Sequence, residues 1–243
     1  AKSAPDGYTL GMAITALTIN PSLQANLPYD TVKELVGVSL VAQAHFGLFA
    51  HPSLPVNNIA ELIAYGKQNP NALSYATPGT GTGTHLAGEM LAHKAGIRMV
   101  HVPYKGSAPA QQDVIGGRIA VMVENLSVLS GLIKAGTLKA LAVTAPERLA
   151  SFPDLPTVAE TVPGFAAMGW FVVMAPAGTP DAVVRKVNID LNATLDRPDV
   201  RQRFQDMGSF VRTMKPAEVT QYIQNEQTAW RPLVRQLGLT ASP

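Results

Sequence analysis

Residues 78–91 read PGTGTGTHLAGEML. Gly79, Gly81 and Gly83 alternate with Thr80, Thr82 and Thr84, and His85, Glu89 and His93 follow at intervals of four. Glycine and threonine at that spacing, between an apolar run and a helical pattern, offer backbone N–H groups and hydroxyls to an anion. At a helix N-terminus the first N–H groups have no intrahelical acceptor, and the positive end of the helix dipole converges on the same point. No side chain in the loop is charged, so a carboxylate or other small anion fits it without an arginine. A second reading stays open, in which the loop is a flexible connector and Thr84 caps the helix.

Two sharper labels fail. The glycines do not make Gly-x-Gly-x-x-Gly because position 84 is Thr, and no Gly-Lys-Ser/Thr follows as in a Walker-type loop. His85, Glu89 and His93 share a helix face, but at ~1.5 Å rise per residue the outer two lie about 12 Å apart along the axis. Ligands of one zinc sit ~2 Å from it. No metal site is therefore expected, and the run reads as an exposed polar face. His85, in the first turn beside the loop, is kept as a ligand contact.

Catalytic groups are not legible. There is no Gly-x-Ser-x-Gly elbow; Ser107 lies in KGSAP and Ser130 in LSGL, and Asp113, Glu124 and Asp154 are unpaired in sequence. The absence of cysteine removes disulfides, thiolate nucleophiles and Cys-type zinc sites. Nineteen basic side chains stand against seventeen acidic ones without clustering, which excludes a nucleic-acid groove, since neutralising phosphates needs clustered cations. The expectation is a binding protein with neither catalytic residues nor a cofactor.

Two further loops join the first. HVPYKGSAPA (101–110) puts Tyr104, Lys105 and Gly106 before a helix start, and VENLSV (123–128) puts Asn125 there. In parallel α/β sheets the loops at strand C-termini line the ligand crevice. Lys105 reads equally well as a solvated surface charge.

The elements that must position these loops follow from periodicity. The 243 residues, 47% apolar and 15% charged, can bury a sizeable core. No apolar run approaches the ~18–20 residues that span a bilayer. A buried strand is expected over 8–14, a short helix opened by Pro21, and a long extended stretch over 37–51, in two pieces or bent. A helix follows from Asn58 to Asn69, then strands near 73–76, 98–104, 119–123 and 139–144. These alternate with helices near 84–95, 108–115 and 127–135. Residues 146–165, with four prolines, read as loop, followed by a strand over 169–176 and three closing helices. The alternation argues for α/β architecture with largely parallel sheets. The extended segments 37–51 and 169–176 bracket a core of about residues 52–165, and the two chain ends are expected to form a second lobe, the geometry of a hinged, ligand-closing protein.

Several motifs in order carry a resemblance: SAPDGYTL, the INPSL-to-LPYD stretch, HPSLPV, YATPGTGTGTHLAGEML, VHVPYKG, KALAVTAPERLASFPDLPTVAE and FVVMAPAGTP. Together, over essentially the whole chain, they resemble the Bug/TctC family, extracytoplasmic solute-binding receptors of tripartite tricarboxylate transporters. The resemblance implies a type II periplasmic binding protein fold, with two α/β lobes joined by crossing strands. It divides the chain into residues 1–43 (first lobe), 44–168 (second lobe) and 169–243 (first lobe again).

Family members bind carboxylates, amino acids and related organic acids. Thr77, Gly79, Thr80, Gly81, Thr82, Thr84 and His85 fall on the family's second-lobe ligand loop. Tyr104, Lys105, Gly106 and Asn125 fall on neighbouring crevice loops, and Thr15 and Ala16 on a first-lobe loop. Members begin with a signal peptide and a glycine-rich first-lobe loop, whereas this chain starts within the PDGYTL segment. The N-terminal part of the first lobe is therefore expected to be missing. The implied protein is a periplasmic monomer that does not itself span the membrane, closes on a small organic acid and presents it to the permease subunits of the transporter. The alternative is a ligand-sensing two-lobe domain of a signalling or regulatory protein.

Overall fold

The computed structural model describes residues 1–24 and 26–239. In chain order its elements are β1 (Gly11–Ile14), α1 (Ala16–Leu23), β2 (Leu35–Ala50), α2 (Ile59–Gln68), β3 (Ser74–Thr77) and α3 (Gly83–Ala95). Next come β4 (Val100–Pro103), α4 (Ser107–Ile115), β5 (Val121–Asn125), α5 (Leu126–Lys134) and β6 (Lys139–Val143). After a 3-10 turn at Val158–Glu160 follow β7 (Met168–Pro176), α6 (Asp181–Leu195), α7 (Pro198–Asp206), β8 (Ser209–Phe210) and α8 (Pro216–Gln236). The chain forms two compact units. The first takes Ala1–Gln43, Trp170–Gln205 and the chain from Phe210 on; the second takes Ala44–Gly169 with Asp206–Ser209. Strand β2 passes from one unit to the other between Gln43 and Ala44, and β7 between Gly169 and Trp170.

In the second unit β3 pairs in parallel with both β4 and β5, with Thr77 opposite Pro103 and Ala76 opposite Met122. The three strands therefore end on one edge, and each leads into a helix: α3, α4 and α5 in turn. The far half of β2 runs antiparallel to β5 and β6, where Phe49 faces Met122 and Ala140. The expectation of largely parallel sheets is corrected here, because alternation of strand and helix fixes neither strand order nor direction. The core beneath this edge packs Phe49, Ala76 and Met122 from the sheet against Ala110 and Val114 of α4 and Leu126 and Leu129 of α5. Helix α2 begins where the Asn58 side chain accepts the Glu61 N–H at 2.8 Å. Helix α3 ends at Gly96, whose φ of 61° supplies a left-handed cap that a side chain would resist.

In the first unit β1 runs antiparallel to β7, and β7 lies beside β2. Trp170, Val172 and Met174 of β7 pack with Leu40 of β2, Leu17 of α1 and Val219 and Ile223 of α8. Trp170 donates its indole N–H to Glu226 at 2.9 Å, so its polar edge is satisfied.

Three expectations change in detail. Pro21 lies inside α1 and does not open it. The N–H that Pro21 lacks would have met the Leu17 carbonyl, and the Thr31 hydroxyl donates to that carbonyl instead at 3.2 Å. Residues 37–51 are not two pieces: β2 is one strand of 16 residues, whose register against β6 shifts between Leu48 and Phe49. The segment 8–14 is not a buried strand. Strand β1 begins only at Gly11, and Tyr8 (95% exposed), Leu10, Met12 (62%) and Ile14 are all exposed.

Candidate functional site

The glycine–threonine loop joins β3 to α3 at the shared strand edge. Gly79 (φ 152°) and Gly81 (φ 75°) both adopt backbone that side chains rarely tolerate, which turns the chain sharply off the end of β3. The cap of α3 is Thr82 and not Thr84. With extended backbone, Thr82 accepts the His85 N–H at its Oγ (3.2 Å) and donates to the Gly79 carbonyl at 2.7 Å. Thr84 falls inside the first turn, almost fully buried, with its hydroxyl 2.9 Å from that of Thr82.

Not every amide of the loop is offered to a ligand. The Gly81 N–H donates to His85 Nδ1 at 3.2 Å, and the Gly79 N–H donates to the Thr77 hydroxyl at 3.3 Å. Among the described residues the N–H groups of Thr80 and Thr84 donate to no protein acceptor. Thr80 is exposed, and α3 carries no acidic residue in its first turn. The donors left to any ligand are therefore fewer than the loop's length suggests: the first-turn Thr84 amide and the Thr80 amide, with the positive helix end behind them.

His85 is not on an exposed face. It is 5% exposed, whereas Glu89 is half-buried and His93 exposed, so the expected polar stripe divides across the helix. The reason lies in the sheet beneath. The His85 ring stacks on His101 of β4 with centroids 3.9 Å apart, and Tyr75 of β3 tilts against His101 at 5.0 Å. The Tyr75 hydroxyl donates to Glu89 at 2.6 Å, and His101 Nε2 lies 2.6 Å from the Thr77 hydroxyl. Burial lowers the His85 pKa to about 4, and burial together with the His85 charge lowers that of His101 to about 3, so both rings are neutral at physiological pH. Among the described residues no group of three metal-ligating side chains gathers here or elsewhere.

One of the other two loops meets the first through backbone. Tyr104 N–H donates to the Thr77 carbonyl (3.1 Å) and Gly106 N–H to that of Pro78 (2.9 Å), fastening 104–106 to the start of the glycine–threonine loop. The Tyr104 hydroxyl donates away from it, to Asp113 at 2.6 Å, and Lys105 is exposed. Asn125 ends β5, and its N–H and side-chain amide both donate to Glu124 Oε1, at 2.7 and 3.1 Å. Thr77, Gly79 to Thr84, His85, Tyr104 to Gly106 and Asn125 are thus gathered on one edge of the second unit. Thr15 and Ala16 belong to the first unit, at the start of α1, where the Thr15 carbonyl accepts from Thr18 and Ile19.

Sequence reasoning missed Glu124. The side chain is wholly buried, and its Oε2 accepts the Ser107 hydroxyl at 2.5 Å. Ser107 opens α4 and Asn125 caps α5, so one acidic side chain lies at two helix N-termini. The available signal was a glutamate just before Asn125 in the otherwise apolar strand VMVEN.

The model of the tripartite tricarboxylate transporter family receptor matches residues 1–239. The protein BugT of Bordetella pertussis is 34% identical over 241 residues, covering 98% of this chain and 74% of the relative. Among solved structures, R. palustris Rpa4515 with adipate superposes with a TM-score of 0.95 at 31% identity, covering 98% of this chain and 81% of that one. MatC of Rhodopseudomonas palustris with bound malate superposes with a TM-score of 0.89 at 29% identity, covering 96% and 81%. Among the described residues no helix is long and apolar enough to cross a membrane.

Proposed function

Because this chain belongs to the tripartite tricarboxylate transporter receptor family, we propose that it is a periplasmic receptor that captures a small dicarboxylate and presents it to the permease subunits of a tripartite transporter. In this role it binds as a single chain and performs no chemistry on the acid. The observation that carries the ligand class is the pair of unpaired N–H groups, Thr80 and Thr84, at an α3 N-terminus without any acidic side chain. Each hydrogen bond from such a donor to a carboxylate is worth about 1.5–3 kcal/mol, and the helix end adds roughly 0.3–1 kcal/mol.

The neighbouring helix ends explain why one carboxylate is taken on this edge. Glu124 already lies at the N-termini of α4 and α5, whereas the first turn of α3 carries no acidic residue. A carboxylate on the α3 turn meets matched donors; a second one beside α4 or α5 meets an occupied position. That two relatives of similar fold hold adipate and malate supports the same ligand class. These relatives lend no support to the alternative of a signalling or regulatory domain.

The test is a thermal-shift screen with four- to six-carbon dicarboxylates, amino acids, aromatic acids and nucleotides. A ligand at 100 times its Kd adds about 2.7 kcal/mol of stability. Shifts among dicarboxylates are expected; shifts confined to nucleotides, or none among the acids, would overturn the proposal.

A further inference from the structure

The glycine–threonine loop is fastened from below by a neutral imidazole, and this fastening has its own chemistry. Gly81 N–H reaches His85 Nδ1 at 3.2 Å, which requires that nitrogen to be unprotonated. The single ring proton of His85 then lies on Nε2, which is 3.9 Å from Glu89 Oε1. We propose that His85 is a positioning residue: it holds the Gly81 amide at its left-handed φ and thereby aims the Thr80 and Thr84 amides outward for the ligand.

The titratable groups that face His85 are His101 from β4, stacked at 3.9 Å, Tyr75 from β3, whose hydroxyl approaches the His85 carbonyl at 3.4 Å, and Glu89 on α3 itself. Stacked imidazoles disfavour a second positive charge, and the buried site disfavours the first. Once His85 takes a proton on Nδ1, two N–H donors face each other across the Gly81 contact. The loop must then leave its conformation, and acid therefore uncouples the loop from its support. The inference rests on the reading of this loop as the carboxylate site.

Two substitutions separate the hydrogen bond from simple packing. In His85→Asn the side-chain oxygen stands close to where Nδ1 stood and can accept the Gly81 N–H without titrating. In His85→Leu the volume is roughly kept and the acceptor is lost. The experiment follows the Gly81 amide and the His85 ring nitrogens by NMR from pH 8 to pH 3, and measures malate and adipate affinity at pH 8, where both acids are fully ionised.

In the wild type the Gly81 amide shift is expected to move with the same midpoint as the His85 ring. That transition is absent in His85→Asn. Affinity is expected to fall about tenfold in His85→Leu, the loss of one hydrogen bond, and to return largely in His85→Asn. A Gly81 amide indifferent to His85 protonation, or an Asn variant as weak as the Leu variant, would overturn the positioning role. Should the wild type bind neither acid, the dicarboxylate reading fails, while the Gly81 titration, which needs no ligand and can be followed on the wild type alone, still decides the role of His85.

Discussion

Ser107 donates its hydroxyl to Glu124 Oε2 at 2.5 Å, while the other carboxylate oxygen takes the N–H and side-chain amide of Asn125. Through this one carboxyl group the first residue of α4 is tied to the cap of α5. The arrangement is local, since both loops leave neighbouring strand ends, yet it fixes the orientation of the Asn125 side chain at the edge where the glycine–threonine loop lies. Glu124 is the sole acidic residue among the fully buried polar side chains described, and burial raises its pKa despite three donors that favour the charged form.

The sign of that shift predicts how Glu124→Gln behaves. A carboxyl whose folded pKa lies above its unfolded value contributes stability that is full in acid and is lost as pH rises through the folded pKa. Gln keeps an acceptor for both Asn125 donors and offers its amide to the Ser107 oxygen. The variant should therefore gain stability relative to wild type between pH 4 and pH 8, read from urea-unfolding midpoints at the two pH values. A difference that stays constant with pH would show that the Glu124 charge carries no such cost. Glu124→Leu, which strands the Ser107 and Asn125 donors, should instead lose about 1–3 kcal/mol at both.

The histidine pair has the opposite sign. With folded pKa values of about 4 for His85 and about 3 for His101, the unfolded chain takes up these protons first as pH falls below the ordinary histidine value of 6.5. Stability should decline from about pH 6.5 toward pH 3. Both tryptophans, Trp170 and Trp230, lie in the first unit, so their fluorescence reports that unit, whereas both histidines lie in the second. Acid titration should show loss of Tyr75 near-ultraviolet signal at higher pH than the change in tryptophan fluorescence. His101→Phe, which keeps a ring against His85 without a second titrating group, should move the acid transition to lower pH. An unmoved transition would mean that other groups govern acid unfolding.

Much of this arrangement was legible in the sequence for physical reasons. Glycines at 79 and 81, a β-type run before them and a helical period after them specify strand, turn and helix, and Gly96 marks where the helix stops. The supports of the loop were not legible. His101, Tyr75 and Glu124 lie on three different strands, and only their parallel register brings His101 under His85 and Glu124 beside Ser107. His85 carried a true local signal, its place in the first turn. Its burial depends on which face of α3 meets the sheet, and a helix with apolar, glycine and polar positions intermixed does not declare that face. The motifs that resemble the receptor family supplied the fold and function class, because several loops in fixed order are far more specific than one glycine pattern.

Gly88 tests how closely α3 sits on that sheet. A Cβ built there would lie 2.3 Å from the Tyr75 ring, and Tyr75 is fully buried with its hydroxyl bonded to Glu89 one residue on. Helix propensity alone favours Ala over Gly by about 1 kcal/mol. Overpacking a rigid, buried aromatic ring costs about 1–3 kcal/mol, and the hydroxyl contact resists the ring's retreat. Overpacking is therefore expected to win, and Gly88→Ala should lower the thermal midpoint. A higher midpoint would mean that Tyr75 has room to move and that α3 is packed less tightly than described.

Gly81 decides between an anion site and a connector. At φ 75° a β-branched side chain is strongly disfavoured, since its branch meets the backbone on either side. Val at this position should drive the chain to negative φ, detach the amide from His85 Nδ1 and displace the neighbouring Thr80 and Thr84 amides. The core under the strand edge is built from Phe49, Ala76, Met122 and the α4 and α5 side chains and includes no residue of 78–83. Gly81→Val is therefore expected to keep a cooperative far-ultraviolet melting transition and to lose dicarboxylate binding by at least about 100-fold, the equivalent of about 2.7 kcal/mol or two such hydrogen bonds. Calorimetric titration of both proteins with the acid that shifts the wild type most gives the answer. Equal affinity in the two would show that the ligand is held elsewhere and that the loop only connects β3 to α3.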